Sequence, residues 1–362
     1  MAKDTKKNKN RKRTWKIILI SLGGLIVFAC LTVFLTAHHY ISKLNYVSGD
    51  TTPVVTAGLD IGVADEPENN SGEQISQEQL EEMQNEIDEN INDGEIYGED
   101  GVLNVLLIGS DTRAAGQAGL SDVMVLISIN KENKEISLIS LMRDIYLYIP
   151  DYGYNRINAA YAFGGATLLC ETVRQNFKVD LEYYVETDFY SFIDIVDALG
   201  GVTVEVGEQD IGNINSSIKD INRHLNLNRT DGLLESGGTQ NLSGKQALAY
   251  ARNRSFADGD FTRTEHQREI MSALSSKVFD LSLNEADEFL SAYLPRITTN
   301  MPELKILSLL LKLASYKSYD INQLGIPLSG SYAFVNINSM DVLQIDFEEN
   351  GKAIKNMIYG ED

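Results

Sequence analysis

Residues 17–36, IILISLGGLIVFACLTVFLT, run for twenty positions without a charged side chain. A helix rises about 1.5 Å per residue, so a run of this length spans a hydrocarbon core of roughly 30 Å. It reads as a transmembrane helix, and it forces the two flanking parts of the chain onto opposite sides of a bilayer. The preceding residues 1–16 hold Lys3, Lys6, Lys7, Lys9, Arg11, Lys12, Arg13 and Lys16, with almost no positive charge directly after the run. By the positive-inside rule this basic tail is cytoplasmic and the chain beyond about residue 40 is outside. The run exceeds the roughly 7–15 apolar residues of a signal peptide and no A-x-A site comes after it, so an uncleaved single-pass anchor is expected.

Residues 37–101 read as an extracytoplasmic acidic spacer. Positions 65–100 alone hold fourteen Asp and Glu and no Lys or Arg, two thirds of a formal net charge of −21, so the rest of the chain is only mildly acidic. That leaves no basic face for nucleic acid, and a sixteen-residue cytoplasmic tail has no room for a helix-turn-helix. Few large apolar groups are available to offset ordering entropy in the spacer. Leu80, Met83, Ile87 and Ile91 nevertheless recur at helical spacing, so a short amphipathic helix or weak coiled coil is the alternative to a solvated chain.

Cys30 lies in the apolar run and Cys170 far beyond it, so no intramolecular disulfide is expected. His38, His39, His224 and His266 show no zinc spacing. The external domain must therefore stand on its core.

That domain is expected over 102–362. It opens with LNVLLIG at 103–109, a buried-strand pattern that ends in SDTR. SDVMVLISIN and EISLISLMRD come next, separated by KENK at 131–134, and read as a β-hairpin. In a hairpin the start of one strand and the end of its partner share an edge, which makes neighbours of Asp122 and Arg143. The connection from Asp111 to Asp122 is too short for a comfortable parallel crossover, so Asp111 is expected to return to the same edge. Two carboxylates there can share Mg²⁺ (or Mn²⁺), with phosphate oxygens completing its shell. Arg113 and Arg143 beside them can hold phosphate in bidentate fashion.

Further along, RINAAYAFGGATLLCETV reads as helix interrupted at Gly164-Gly165, with Arg156 where loop meets helix. Its apolar face suits either core or the wall of an apolar tunnel. FYSFIDIVDALGGVTVEV is a helix closed by a glycine pair before an alternating strand. The last motif, ALAYARNRSFADGDFTRTEHQREI, carries two helix starts, Ser243/Gln246 and Thr262/Glu265 in capping-box spacing. Arg252 and Arg254 fall at the end of the first helix, where relief of the helix dipole is an alternative role. Arg263, His266 and Gln267 stand at i, i+3, i+4, continuing the stripe of Ile270 and Leu274, whereas Arg268 is expected to face solvent.

These motifs, in this order across 102–283, resemble the LytR-CpsA-Psr family of cell-envelope proteins. The resemblance implies an α/β fold with a mixed central sheet flanked by helices, behind one transmembrane helix. It also implies a phosphotransferase that moves a glycopolymer, such as teichoic acid or capsule, from an undecaprenyl pyrophosphate donor to a peptidoglycan acceptor, with pyrophosphatase as a side activity. Carried over residue by residue, Asp111 and Asp122 would hold Mg²⁺, with Arg143 counted beside them as catalytic. Arg113, Arg143, Arg156, Arg252, Arg254, Arg263 and Gln267 would surround the pyrophosphate, and the polyprenyl tail would lie in an apolar tunnel. Two positions depart from the family pattern: Arg156 stands where Lys is usual, and His266 where Arg is usual. A non-catalytic lipid-binding sensor and a structural wall protein are the competing readings.

Overall fold

A computed structural model describes residues 42–47, 72–110, 119–253 and 260–360. The apolar run at 17–36 lies outside these. Among the described residues no helix is long and apolar enough to cross a membrane.

Strands β1 (Asn45–Tyr46) and β2 (Glu73–Gln74) precede helix α1 (Gln77–Asn92). The long apolar runs then form β3 (Val102–Ser110), β4 (Ser121–Asn130) and β5 (Glu135–Leu141). The hairpin β6 (Tyr146–Ile149) and β7 (Gly153–Arg156) leads into α2 (Ile157–Phe177), β8 (Tyr183–Asp188), α3 (Phe189–Ala198) and β9 (Val202–Val206). Next come α4 (Ile211–His224), β10 (Gly238–Leu242), α5 (Gly244–Ala251), α6 (Asp260–Asp280) and α7 (Leu283–Tyr293). The chain ends with β11 (Thr298–Thr299), α8 (Glu303–Tyr316), β12 (Asp320–Ile326), β13 (Tyr332–Ile337), β14 (Met340–Ile345) and α9 (Phe347–Tyr359).

The central sheet has the order β1-β11-β8-β3-β4-β5-β12. β4 is antiparallel to both neighbours, whereas β3 pairs parallel with β8 and β5 parallel with β12, so the sheet is mixed. Alternation along the strands gives it two apolar faces. Leu106, Ile108, Met124, Leu126 and Ile139 pack with Leu169 and Val173 of α2 and Ile354 of α9. On the other face Val125, Ile136 and Leu138 meet Tyr316, with Leu309 of α8 and Met271 of α6 packed against them. This second face is looser, because Leu107, Val123, Ile127 and Ile129 are only half-buried. A separate cluster joins Ile193 and Val196 of α3, Val202 and Val204 of β9, Ile214 and Ile218 of α4, Leu248 of α5 and Ile270 of α6.

The acidic segment requires a correction. From residue 72 it belongs to the folded unit: Glu73 pairs with Val335 of β13, and Met83 and Ile87 are buried in the main core. The apolar stripe of α1 decides this, since burying each such side chain contributes roughly 1.5–3 kcal/mol and the acidic residues can all remain on the wet side. Asn90 also donates to the Asn176 carbonyl at 2.9 Å, fixing α1 on α2.

The glycine pair in α2 breaks the helix, as its sequence implies. Gly164 and Gly165 leave helical geometry, and Gly165 takes φ 62°, a conformation that L side chains disfavour. At the start of α6 the helix begins at Asp260, so Thr262 lies inside the first turn and is not the cap expected from its spacing.

Candidate active site

The site begins where β3 and β4 part. Ser110 pairs with Ser121, placing the residues that precede Asp111 and Asp122 opposite one another, with a bulge between Gly109 and Ser110. A side chain at Gly109 would put its Cβ 2.9 Å from the Val123 side chain, so the close pairing that shapes this edge needs glycine. Asp111 and Arg113 lie outside the described residues, as does Arg254.

The hairpin brings Asp122 to Arg143. Arg143 Nη1 donates to Asp122 Oδ1 at 3.3 Å and its Nε donates to Asp144 Oδ2 at 3.3 Å. Arg156 Nη1 donates to the other oxygen of Asp144, Oδ1, at 3.2 Å. Asp144 thus bridges two guanidinium groups, and all three side chains are buried, whereas Asp122 keeps 19% of its side chain exposed. The short segment carrying them is pinned on several sides. Met142 N–H donates to Ile326 O at 3.0 Å, Leu343 N–H to Asp144 O at 2.8 Å and Ile157 N–H to Ile145 O at 2.8 Å. Arg156 occupies the N-cap position of α2, so its place is set by both β7 and the helix start.

Two carboxylates of this edge carry no signal in the sequence. Asp144 is only the last letter of SLMRD, and nothing in its spacing distinguishes a bridging aspartate from a turn residue. Glu186, at the end of β8, sits across from Ile108 and accepts a short hydrogen bond from the Tyr161 hydroxyl of α2. Burial pushes its carboxyl above the ordinary value, while hydrogen bonds from Tyr161 and Ser110 pull the other way.

A second group of cations lies on α5 and α6. In α5 the Ser243 N–H donates to Gln246 Oε1 at 2.9 Å, the capping arrangement implied by their spacing. Arg252 ends this helix with its guanidinium 5.2 Å from the centre of the Phe189 ring. Arg263, His266 and Gln267 are all buried on one face of α6, as i, i+3, i+4 spacing requires. Gln267 Nε2 donates to Ala251 O at 3.3 Å, and His266 stacks on Tyr250 with ring centres 4.0 Å apart. Burial lowers the His266 pKa, against the opposing pull of Glu269 and Asp210, so the imidazole is neutral at pH 7. It therefore does not replace the charge of the arginine usual at this position. Beside it, Asn253 Nδ2 donates to Asp210 Oδ1 at 2.9 Å, in a buried pair that lacks any sequence signature.

Arg268 does not face solvent. Its guanidinium reaches Gly325 of β12, close enough that a Cβ on that glycine would lie 3.1 Å from Nη1. Burial lowers its pKa, and the guanidinium lies between α6 and β12 of the sheet.

The sheet edge thus pairs fixed cations with a partly exposed carboxylate, an arrangement suited to a phosphorylated anion. Oxygen ligands suit Mg²⁺, which takes one or two carboxylates and otherwise keeps water or phosphate oxygens. Among the described residues no group of three or more His, Cys, Asp or Glu could hold a metal. Asp122 contributes one such partly exposed oxygen ligand at this edge.

A mixed sheet flanked by helices, with an acidic and arginine-lined edge, defines the class. Residues 67–357 match the model of the LytR_cpsA_psr family, and the chain belongs to that family. Regulatory protein MsrR of Staphylococcus aureus is 33% identical over 266 residues, covering 72% of this chain and 75% of that protein. The polyisoprenyl-teichoic acid--peptidoglycan teichoic acid transferase TagT of Bacillus subtilis is 35% identical over 183 residues, 49% of this chain and 53% of its own length. A solved structure of TagT bound to LIIa-WTA superposes with a TM-score of 0.56 at 27% identity, covering 72% of this chain and 91% of that one. Another, with bound octaprenyl pyrophosphate lipid, has a TM-score of 0.53 at 25% identity, covering 74% and 95%.

Proposed function

We propose that this protein is a membrane-anchored, extracytoplasmic phosphotransferase that moves a glycopolymer from a polyprenyl pyrophosphate carrier to peptidoglycan. The observation that carries the reading is the buried Asp122–Arg143–Asp144–Arg156 network, which fixes two guanidinium groups beside a partly exposed carboxylate. Relatives named as teichoic acid transferases, and a relative holding octaprenyl pyrophosphate, support the donor class.

Phosphoryl transfer is catalysed mainly by positioning and by stabilising charge. In the proposed reaction an acceptor sugar hydroxyl attacks the phosphorus that bears the glycan. The new P–O bond completes a phosphodiester, the bond to the bridging oxygen breaks, and polyprenyl phosphate leaves. Arg143 and Arg156 meet the charge on the phosphate oxygens, with Arg113, Arg252, Arg254, Arg263 and Gln267 as further contacts. The hydroxyl proton leaves to water at this partly exposed edge as the new bond forms. Asp111 and Asp122 would hold Mg²⁺ or Mn²⁺, which supplies additional neutralisation of phosphate when bound. Water in place of the sugar gives pyrophosphatase activity.

The test is release of polyprenyl phosphate from a polyprenyl pyrophosphate sugar by the full-length chain with Mg²⁺. Turnover by the wild type and its loss in Arg143→Ala support the transferase. Equal inactivity of both, with lipid binding retained, overturns it in favour of a sensor.

A further inference from the structure

Helix α8 carries two apolar faces. Ile306, Leu309 and Tyr316 pack on the central sheet, while Leu304 and Leu311 are 72% and 63% exposed. Leu304 stands about 200° round the helix from Ile306, and Leu311 lies two turns further along the same outer face. Each exposed leucine is followed by a lysine, Lys305 or Lys312. Lys131, from the loop between β4 and β5, joins them. Its pKa is lowered first by burial and then by repulsion from Lys312 and Lys305, so the three ammonium groups share one locality. Lys305 lies 5.4 Å from the centre of the Tyr183 ring. In so acidic a chain this is an unusual collection of cations. Glu303 opens the helix, where it complements the helix dipole.

The position of the face matters as much as its chemistry. β1 pairs with β11, and Val47 N–H donates to Thr299 O at 3.1 Å, four residues before α8 begins. Tyr46, on β1, is 52% exposed. From residue 36, where the apolar run ends, only nine residues lead to Asn45, a reach of at most about 30 Å. The start of α8 is therefore tethered near the bilayer, a step that rests on the reading of 17–36 as a span.

We infer that the outer face of α8, with Leu304 and Leu311 flanked by Lys305, Lys312 and Lys131 and extended by Tyr46, docks on an anionic phospholipid surface. Exposed leucines enter the headgroup boundary while lysines meet lipid phosphate, as amphipathic interfacial helices do. The acidic remainder of the domain is repelled by the same surface, which reinforces a single orientation.

The experiment uses the full-length chain, with Cys30→Ser, reconstituted into phosphatidylglycerol or phosphatidylcholine vesicles. Cys170 is buried and its thiol pushed up by burial, so it stays unlabelled. A nitroxide is placed by Leu311→Cys and, as a comparison site, by Ser339→Cys on the exposed turn between β13 and β14. Collisions with oxygen and with an aqueous nickel chelate report depth. The expected result in phosphatidylglycerol is a several-fold loss of nickel accessibility at 311 relative to 339. Glutamine at Lys131, Lys305 and Lys312 together restores it. Equal nickel accessibility at both sites overturns the proposal, and no change in the triple variant overturns the role of the lysines. Release of the chain by alkaline carbonate instead refutes the span, and the depth reading at 311 still decides whether the face docks.

Discussion

The two cationic regions of the site solve the same electrostatic problem in different ways. At the sheet edge Arg143 and Arg156 are buried against Asp122 and Asp144, so their charge is compensated before any ligand arrives. On the α5–α6 face His266 is stripped of charge by burial, and Arg252 rests on an aromatic ring at the end of its helix. Paired buried charges give a rigid, preorganised edge, and breaking such a pair is expensive. The α5–α6 face mixes ring stacking and a neutral imidazole with the buried Arg263 and Asp210. On the proposed reaction, stability and chemistry are concentrated at the edge, and the helices are expected to set affinity for the donor.

The sharpest way to break this comparison is Asp144→Ala, which leaves two buried cations without their bridge. It should cost about 3–5 kcal/mol in urea unfolding. A stable variant would mean that the edge is not self-neutralised. Next in size is Arg143→Ala. Its loss should lower turnover by about 10²–10³-fold with little change in KM, the scale seen when one charge-stabilising donor is removed. A raised KM with unchanged turnover would instead make Arg143 a binding residue.

Arg263→Ala probes the other region. It should weaken donor binding by about 1.5–3 kcal/mol, the worth of a charged hydrogen bond, with turnover at saturation preserved. A collapse of turnover would erase the division of labour. The smallest effect is expected for His266→Gln. Because the folded imidazole titrates below its unfolded value, its burial stabilises the fold fully above about pH 6.5 and that contribution is lost as the folded pKa is crossed on acidification. Unfolding midpoints of the wild type should therefore fall below that pH more steeply than those of the glutamine variant. Parallel curves would show that His266 is not buried neutral.

Much of the edge was legible because strand periodicity and a four-residue loop leave few ways to pair β4 with β5. Asp122 and Arg143 become neighbours from that register alone. The face of Arg263, His266 and Gln267 was equally legible, since helical spacing determines which residues share a side. Less could be read wherever the partner is remote in sequence. Arg268 looked solvent-facing because it sits off the stripe of α6, yet β12, from a distant part of the chain, covers it. The acidic segment looked like a spacer because composition averages over both faces of α1, and Met83 and Ile87 needed α2 and the sheet beneath them to become core.

Local pattern was enough for the order of strands and helices, the family motifs and the identity of the charged residues, because backbone periodicity and turn chemistry act over a few neighbours. Asp144 as a bridge, Glu186 under Tyr161 and His266 as a neutral ring came only with packing. Burial and charge compensation depend on atoms brought together from dozens of residues away, and no short-range rule in the chain encodes them.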